Sequence, residues 1–217
     1  MARTGRPRAF DRDDAVDQAM QLFWQHGYDS TSLSLLKAEL GGGISAPSFY
    51  AAFGSKEALF DECVQRYLTT FAQVTECLWD ETLPPRQAIE TALRQSARMQ
   101  CDDGHPKGCM VTLGVMSAPS PENARVVEAL THSRARTRAG IVACVERGVS
   151  GGELAFETNA VALATVFDSF LQGISILARD AMTIESIDAA ITQVLRAWDM
   201  AVSTDPAPRI TKLSSNT

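Results

Sequence analysis

The 217-residue chain is predicted to be all-α, with about nine helices. Three observations predict it. Apolar residues recur at i, i+3, i+4 and i+7 through most of the chain, the spacing that gathers them on one face of a helix. Segment after segment opens on Asp, Ser or Thr and closes on Gly or Pro, the residues that cap or end helices. No stretch shows the strict alternation of a half-buried strand, and no internal repeat is visible.

The elements follow in order. Residues 1–10 read as a flexible basic arm in which Gly5-Arg6-Pro7 is an extended tripeptide centred on an arginine. Arginine is drawn into narrow, A·T-rich minor grooves by their negative potential, and a solvated tail is the other reading. Asp11 caps a first helix with Asp13 and Asp14 in its first turn; Val16, Ala19, Met20 and Phe23 form its buried face, and Gly27 closes it. A second helix starts at Thr31 or Ser32 and buries Leu33, Leu36 and Leu40 before Gly41-Gly42-Gly43. A third, about two turns long, is capped by Ser45, carries Pro47 in its first turn and ends at Gly54. Such a helix is marginal in water, so neighbours must clamp it. Helix, glycine turn and short helix form a helix-turn-helix arrangement, whose second helix enters a DNA major groove.

A fourth helix is expected from Lys56 to about Trp79, about 36 Å long. Pro84-Pro85 starts a fifth that runs to about Gln100. Cys101 to Cys109 is a loop by its Gly and Pro content. Short apolar helix 110–116 follows, then a long one from Ser120 or Pro121 to about Val149 with Arg134, Arg136 and Arg138 in a run. A wide-striped apolar helix spans 158–180, and Thr183 caps the last helix. Residues 203–217 are rich in Pro, Ser and Thr and read as a disordered tail.

The composition fits this picture. The apolar fraction of 45% and charged fraction of 21% are those of a soluble globular protein. No run of about 18 apolar residues lacks a charge, so no membrane-spanning helix and no membrane partner are expected. The N-terminus lacks the apolar segment of a secretory signal. Five cysteines at irregular spacing read as reduced thiols in a cytoplasmic protein. The net charge of −6 excludes general coating of nucleic acid but permits contact through a locally positive face. Arg3, Arg6 and Arg8 all precede the first acidic residue, Asp11.

Phe10-Asp11, Ala19, Phe23, Gly27-Tyr28, Thr31-Ser32, Ile44-Ser45, Tyr50, Phe53 and Ser55-Lys56-Glu57-Ala58-Leu59-Phe60 together resemble the N-terminal domain of the TetR/AcrR family of bacterial transcriptional regulators. Gly108-Cys109-Met110-Val111, Leu171-Gln172-Gly173-Ile174 and Ala178-Arg179-Asp180 resemble a subset of that family more weakly. The resemblance implies a helix-turn-helix domain (11–55) and a helical ligand-binding and dimerisation domain (56–202). It implies a homodimer on palindromic double-stranded DNA, usually a repressor released by a small-molecule effector. It also implies phosphate contacts from Tyr50 and Lys56, and a dimer interface on the last two helices, drawn here as Phe167, Leu171, Ile174, Ile191, Leu195 and Trp198. One departure stands out: where the family usually has one glycine, this chain has three. The extra residues could loosen the recognition helix or extend helix two, which leaves a second reading, a dimeric ligand-binding module with weak DNA affinity.

The expected DNA face comprises Arg3, Arg6, Arg8, Thr31, Ser45, Ala46, Pro47, Ser48, Tyr50 and Lys56. Lys56 stands at a helix start, where free N–H groups also favour an anion. Ser45 and Ser48 can donate to phosphates or bases, whereas Ala46, Pro47 and Ala51 can only touch thymine methyls. Tyr50 is either a DNA contact or core; Phe49 and Phe53 are better core candidates. Met99, Met110, Met116, Phe167 and Phe170 are candidates for a ligand pocket or for plain core. Cys109, with His105 and Lys107 nearby and Cys101 eight residues away as a resolving thiol, is either a redox sensor, an alternative route to release by oxidants or electrophiles, or a buried small residue. Cys101, His105 and Cys109 are spaced four apart, but Gly104 and Pro106 break the helix that would align them, so no metal site is expected. No third group orients His105 toward a thiol nucleophile, so neither catalysis nor a cofactor is expected.

Overall fold

The computed structural model describes residues 10–116 and 120–202. Nine α-helices carry the fold of these residues: α1 (Arg12–His26), α2 (Leu33–Glu39), α3 (Ala46–Phe53), α4 (Lys56–Thr69), α5 (Pro85–Gln100), α6 (Met110–Met116), α7 (Glu128–Ser150), α8 (Ala160–Arg179) and α9 (Ile184–Asp199). The class is all-α, as expected; the described residues add only an isolated bridge between Leu154 and Val202. Arg3, Arg6 and Arg8 and the tail from 203 lie outside the described residues.

The caps work as their residue types require. Asp11 accepts from the backbone N–H groups of Asp13 and Asp14 at 2.8 and 3.1 Å, using two of the donors that a helix start leaves unpaired. Ser32, Ser45, Ser55, Asn159 and Thr183 cap α2, α3, α4, α8 and α9 in the same way.

Two helices are shorter than their periodicity suggests. α4 stops at Thr69, and residues 71–79 continue as a 3-10 helix. The hydroxyls of Thr69 and Thr70 donate back to Gln65 O (3.0 Å) and Arg66 O (2.6 Å), and Thr70 leaves helical geometry at φ −122°, ψ −86°. Two adjacent β-branched residues that bond backwards compete with the helical ladder. Likewise residues 121–127 are 3-10, and α7 proper begins at Glu128.

The short α3 is clamped as anticipated. Phe49 and Phe53 are buried against α1 and α4. Arg12, the first residue of α1, donates both Nη atoms to the Glu62 carboxylate of α4 at 2.6 Å and its Nε to Ala52 O of α3 at 3.3 Å, with its guanidinium over the Phe53 ring. One side chain thus ties three helices. Arg66 adds ion pairs from α4 to Asp13 and Asp17.

The glycine turn does not prolong α2 as an α-helix. Leu40–Gly42 forms one 3-10 turn. Gly41 N–H donates to Gln18 Oε1 (2.9 Å), Gly43 N–H to Leu40 O (2.9 Å) and Ile44 N–H to Lys37 O (2.8 Å). Gly41 sits at φ +57°, and a Cβ there would lie 2.5 Å from Phe10 Cβ. The turn therefore demands glycine on two grounds, backbone angle and space.

The apolar interior forms two clusters. The first joins α1–α4 to Met110 and Val111 of α6 and to Val126, Val127 and Leu130. The second joins α5, the C-terminal half of α7, α8 and α9, and includes the buried Trp198. α8 is long and apolar enough to cross a membrane by composition, yet it packs against α5, α6, α7 and α9, and its Asp168 pairs with Arg138. Only 33% of its most apolar 18-residue stretch is buried within the chain.

Gly41→Ala is expected to cost about 2 kcal/mol in urea unfolding, and Gly42→Ala, at φ +75° with open space, about 1 kcal/mol. Arg12 holds the Glu62 carboxyl below its ordinary range, chiefly by direct hydrogen bonding. A carboxylate depressed by folding stabilises above its unfolded pKa and loses that contribution as pH falls through the folded value. Glu62→Gln should therefore flatten the stability loss between about pH 5 and 3, measured as the urea midpoint against pH.

Candidate nucleic-acid interface and inner cavity

The outer face of α3 is built by elimination. Phe49 and Phe53 turn inward, which leaves Pro47, Ser48, Tyr50 and Ala51 exposed and Ala46 half-buried. Tyr50 is 51% exposed and rests edge-on against Phe49, so it is a surface residue and not core. Ser45 and Ser48 are exposed, but their hydroxyls lie 2.9 Å apart, and Ser45 Oγ also accepts from Ser48 N–H. Each retains capacity for one outside partner.

Lys56 follows at the first turn of α4. Its ammonium lies 4.2 Å from the centroid of the Tyr28 ring, a cation–π contact that aims the charge. Partial burial lowers its pKa, and Asp29 acts against that fall. Thr31 is a correction. It is fully buried, and its hydroxyl donates to Gly27 O at 2.7 Å, closing the turn after α1. Its side chain therefore has no route to an outside phosphate.

Behind this face, α1 is keyed to the larger helical region. The indole of Trp24 donates to Gly108 O at 3.1 Å, stacks under His105 at 4.4 Å and meets Tyr67 and Phe71 edge-on. From the end of α8, Arg179 donates to Trp24 O (2.9 Å), Gln25 O and Lys107 O. Asp29 accepts from Ser120 N–H and Asn123 Nδ2.

A cavity of about 50 Å³ lies between the 3-10 segment 71–79, α5, α6, α7 and α8. Met99, Val111 and Leu171 supply apolar wall; Ser96, Gln100, Thr112, Arg134, Asp168 and Gln172 supply polar groups. Gln100 is held by Ser175, whose hydroxyl donates to it at 2.7 Å. Of the residues expected to line a pocket, Met99 does so. Met110 and Phe167 are buried in the core away from it, and Phe170 packs on the second cluster. Met116 is exposed and borders a separate groove beside Trp24 and Arg179. The cavity shares Ala72, Thr75, Ser133 and Thr137 with an outer groove of about 400 Å³, so it opens between residues 71–79 and α7.

Cys109 also lines the cavity, and its sulfur accepts from Tyr67 Oη at 3.3 Å. The groups expected to activate it are engaged elsewhere. His105 stacks on Trp24 with Nδ1 3.0 Å from Pro106 O, and Lys107 bonds Cys101 O and Asp103. Cys101 packs on the second cluster while Cys109 packs on the first, and burial pushes the Cys101 thiol up. This is poor placement for a resolving thiol.

The expected dimer residues are corrected as well. Phe167, Leu171, Ile174, Ile191, Leu195 and Trp198 are all buried in the chain's own second core. Helical periodicity marks them as buried without saying against what. The exposed apolar side of α8 instead carries Val161, Val166 and Ile176, with open space above Gly173.

Trp24, Gln100, Arg134, Asp168 and Gln172 were not singled out by sequence reasoning as site residues. A lone carboxylate in an apolar helix, Asp168, was the available signal, since such groups are rarely buried unpaired. Trp24→Phe keeps an aromatic ring but strands the buried Gly108 carbonyl. It should cost about 1–3 kcal/mol in urea unfolding.

Residues 15–63 match the family model described as bacterial regulatory proteins, tetR family. The chain is 32% identical over 196 residues to HTH-type transcriptional repressor ComR of Escherichia coli (strain K12), covering 89% of this chain and 91% of that protein. HTH-type transcriptional repressor BdcR of the same strain is 36% identical over 113 residues, 52% of this chain and 56% of that one. Among solved structures, a cysteine-substituted form of the TetR family transcriptional regulator CifR, complexed with 26-bp double-strand operator DNA, superposes with a TM-score of 0.78 at 36% identity, over 89% of this chain and 100% of that one. With a repressor 32% identical and matched along nine-tenths of its length, and the family model matched over residues 15–63, the chain belongs to the tetR family of bacterial regulatory proteins.

Proposed function

We propose that the chain is a cytoplasmic, homodimeric repressor that binds a palindromic operator through α3 and is released when a small molecule enters the inner cavity. The observation that carries the DNA reading is the outer face of α3: an exposed Tyr50 on a helix whose other aromatics are buried, beside a lysine aimed from the start of α4. Tyr50 Oη and Lys56 serve as phosphate contacts, with Ser45, Ser48 and Pro47 toward the groove. No Arg, Asn or Gln on α3 makes a bidentate base contact, so DNA shape carries part of the specificity. The operator complex of CifR supports the same use of this domain here. The bonded glycine turn favours a firmly held α3 over the weak-binding reading.

The second copy packs on the exposed side of α8, where Val161, Val166 and Ile176 are otherwise in water. The small-molecule route is favoured over oxidation because a lined cavity abuts the contacts that hold α1, whereas Cys109 has no basic neighbour among its hydrogen-bond partners.

In a gel shift with DNA flanking its own gene, the wild-type chain should bind with a steep salt dependence. Tyr50→Ala and Lys56→Ala should each weaken binding about tenfold or more, as expected for loss of a charged or hydroxyl phosphate contact. Absence of any shift at low salt would sink the repressor reading. Ile176→Glu should convert the dimer to monomer by sedimentation equilibrium and abolish the shift; an unchanged dimer would place the interface elsewhere.

A further inference from the structure

Arg134 is a half-buried cation with no counter-ion among the described residues. Its Nη2 donates to Gln172 Oε1 at 2.7 Å, and that amide is neutral. Gln172 Nε2 donates in turn to Asp168 Oδ2 at 2.9 Å, an oxygen that also accepts Arg138 Nε at 2.8 Å. The Asp168 charge is thus matched by Arg138. Flanked by a carboxylate on one side and a guanidinium on the other, the Gln172 amide can sit only one way round. The Nε of Arg134 is buried and has no acceptor. An N–H of a cation left in that state is costly, and Arg134 lines the inner cavity.

Space and charge narrow what could supply the acceptor. A buried water needs about 10–15 Å³ of such volume, so the cavity proper, at about 50 Å³, holds only a few non-hydrogen atoms of a ligand. A neutral ligand would satisfy the N–H and leave the charge unmatched. A dianion would meet one uncompensated cation and the Asp168 carboxylate. A monoanion with an apolar end fits both the single unmatched charge and the wall of Met99, Val111 and Leu171.

We propose that the inner cavity binds a short-chain monocarboxylate, its carboxylate pairing with the Arg134 guanidinium and its alkyl end resting on Met99, Val111 and Leu171. This rests on the reading of the cavity as an effector site. It names the effector's chemical class and the residue that selects it.

The test is calorimetric titration of the full chain with sodium propionate and sodium butyrate, against propionamide and 1-propanol, at ionic strength fixed with sodium chloride. Both carboxylates should bind at least tenfold more tightly than the amide and the alcohol. Arg134→Gln should lose at least tenfold of carboxylate affinity, and Arg134→Lys should recover part of it. Equal binding of amide and carboxylate, no carboxylate binding, or full affinity in Arg134→Gln would each overturn the proposal. Should Arg134→Gln fail to fold, the comparison among ligands on the wild-type chain decides alone. Operator binding by the ligand-free chain is measured separately. Its absence counts against the repressor reading and leaves the titration result standing, whereas normal operator binding with no carboxylate affinity overturns this proposal alone.

Discussion

The hydrogen bond from the Trp24 indole to the Gly108 carbonyl is the contact on which most of the arrangement depends. A buried indole N–H needs an acceptor, and the loop between α5 and α6 offers one in the Gly108 carbonyl. Gly108 delivers its carbonyl at φ +86°, in a space where a Cβ would sit 2.7 Å from Leu113 and 3.0 Å from Ser175 O. Once the indole is seated, His105 covers one face and Arg179 holds the carbonyls of the last turn of α1. The other end of α1 carries Arg12, which grips α3 and α4. α3 is thus linked through α1 to a bond near the far end of that helix.

Much of this was legible in the residues. Cap signals and periodicity mark α1, α5, α6, α8 and α9 within a residue or two, because local hydrogen bonding decides where a helix starts. The glycines at 27 and 54 mark their turns for the same reason. The break after α4 was not legible. A threonine pair is compatible with helix until its hydroxyls find the i−4 carbonyls, and then the next nine residues must pack on α5 and α7 as well. Nor could periodicity separate a core from an interface, so residues such as Ile174 and Trp198 look the same in either role until the fold assigns them a neighbour. Thr31 misled for a simpler reason. Its place before α2 suits a phosphate contact, but the turn needed its hydroxyl.

The run Arg134, Arg136 and Arg138 shows how one helix splits like charges among different tasks. Arg136 points away from its neighbours, over Trp79 and onto Glu76, and covers the outer groove. Arg138 neutralises Asp168. Arg134 faces the cavity with only an amide for company. A carboxylate on α8 thereby serves to orient an amide as well as to balance a charge, and α7 and α8 are locked at the depth where the cavity lies.

The first apolar cluster runs from α3 into α6 and the beginning of α7. Helices α1–α4 therefore share one apolar core with α6 and the start of α7. A fragment cut after α4 would carry Trp24 and Tyr67 without the partners they have in the 71–79 segment and the 101–109 loop, and the indole N–H without its carbonyl. Chimaeras that graft this helix-turn-helix onto another sensor would have to replace the contacts that α6 and the 101–109 loop make with α1 and α4.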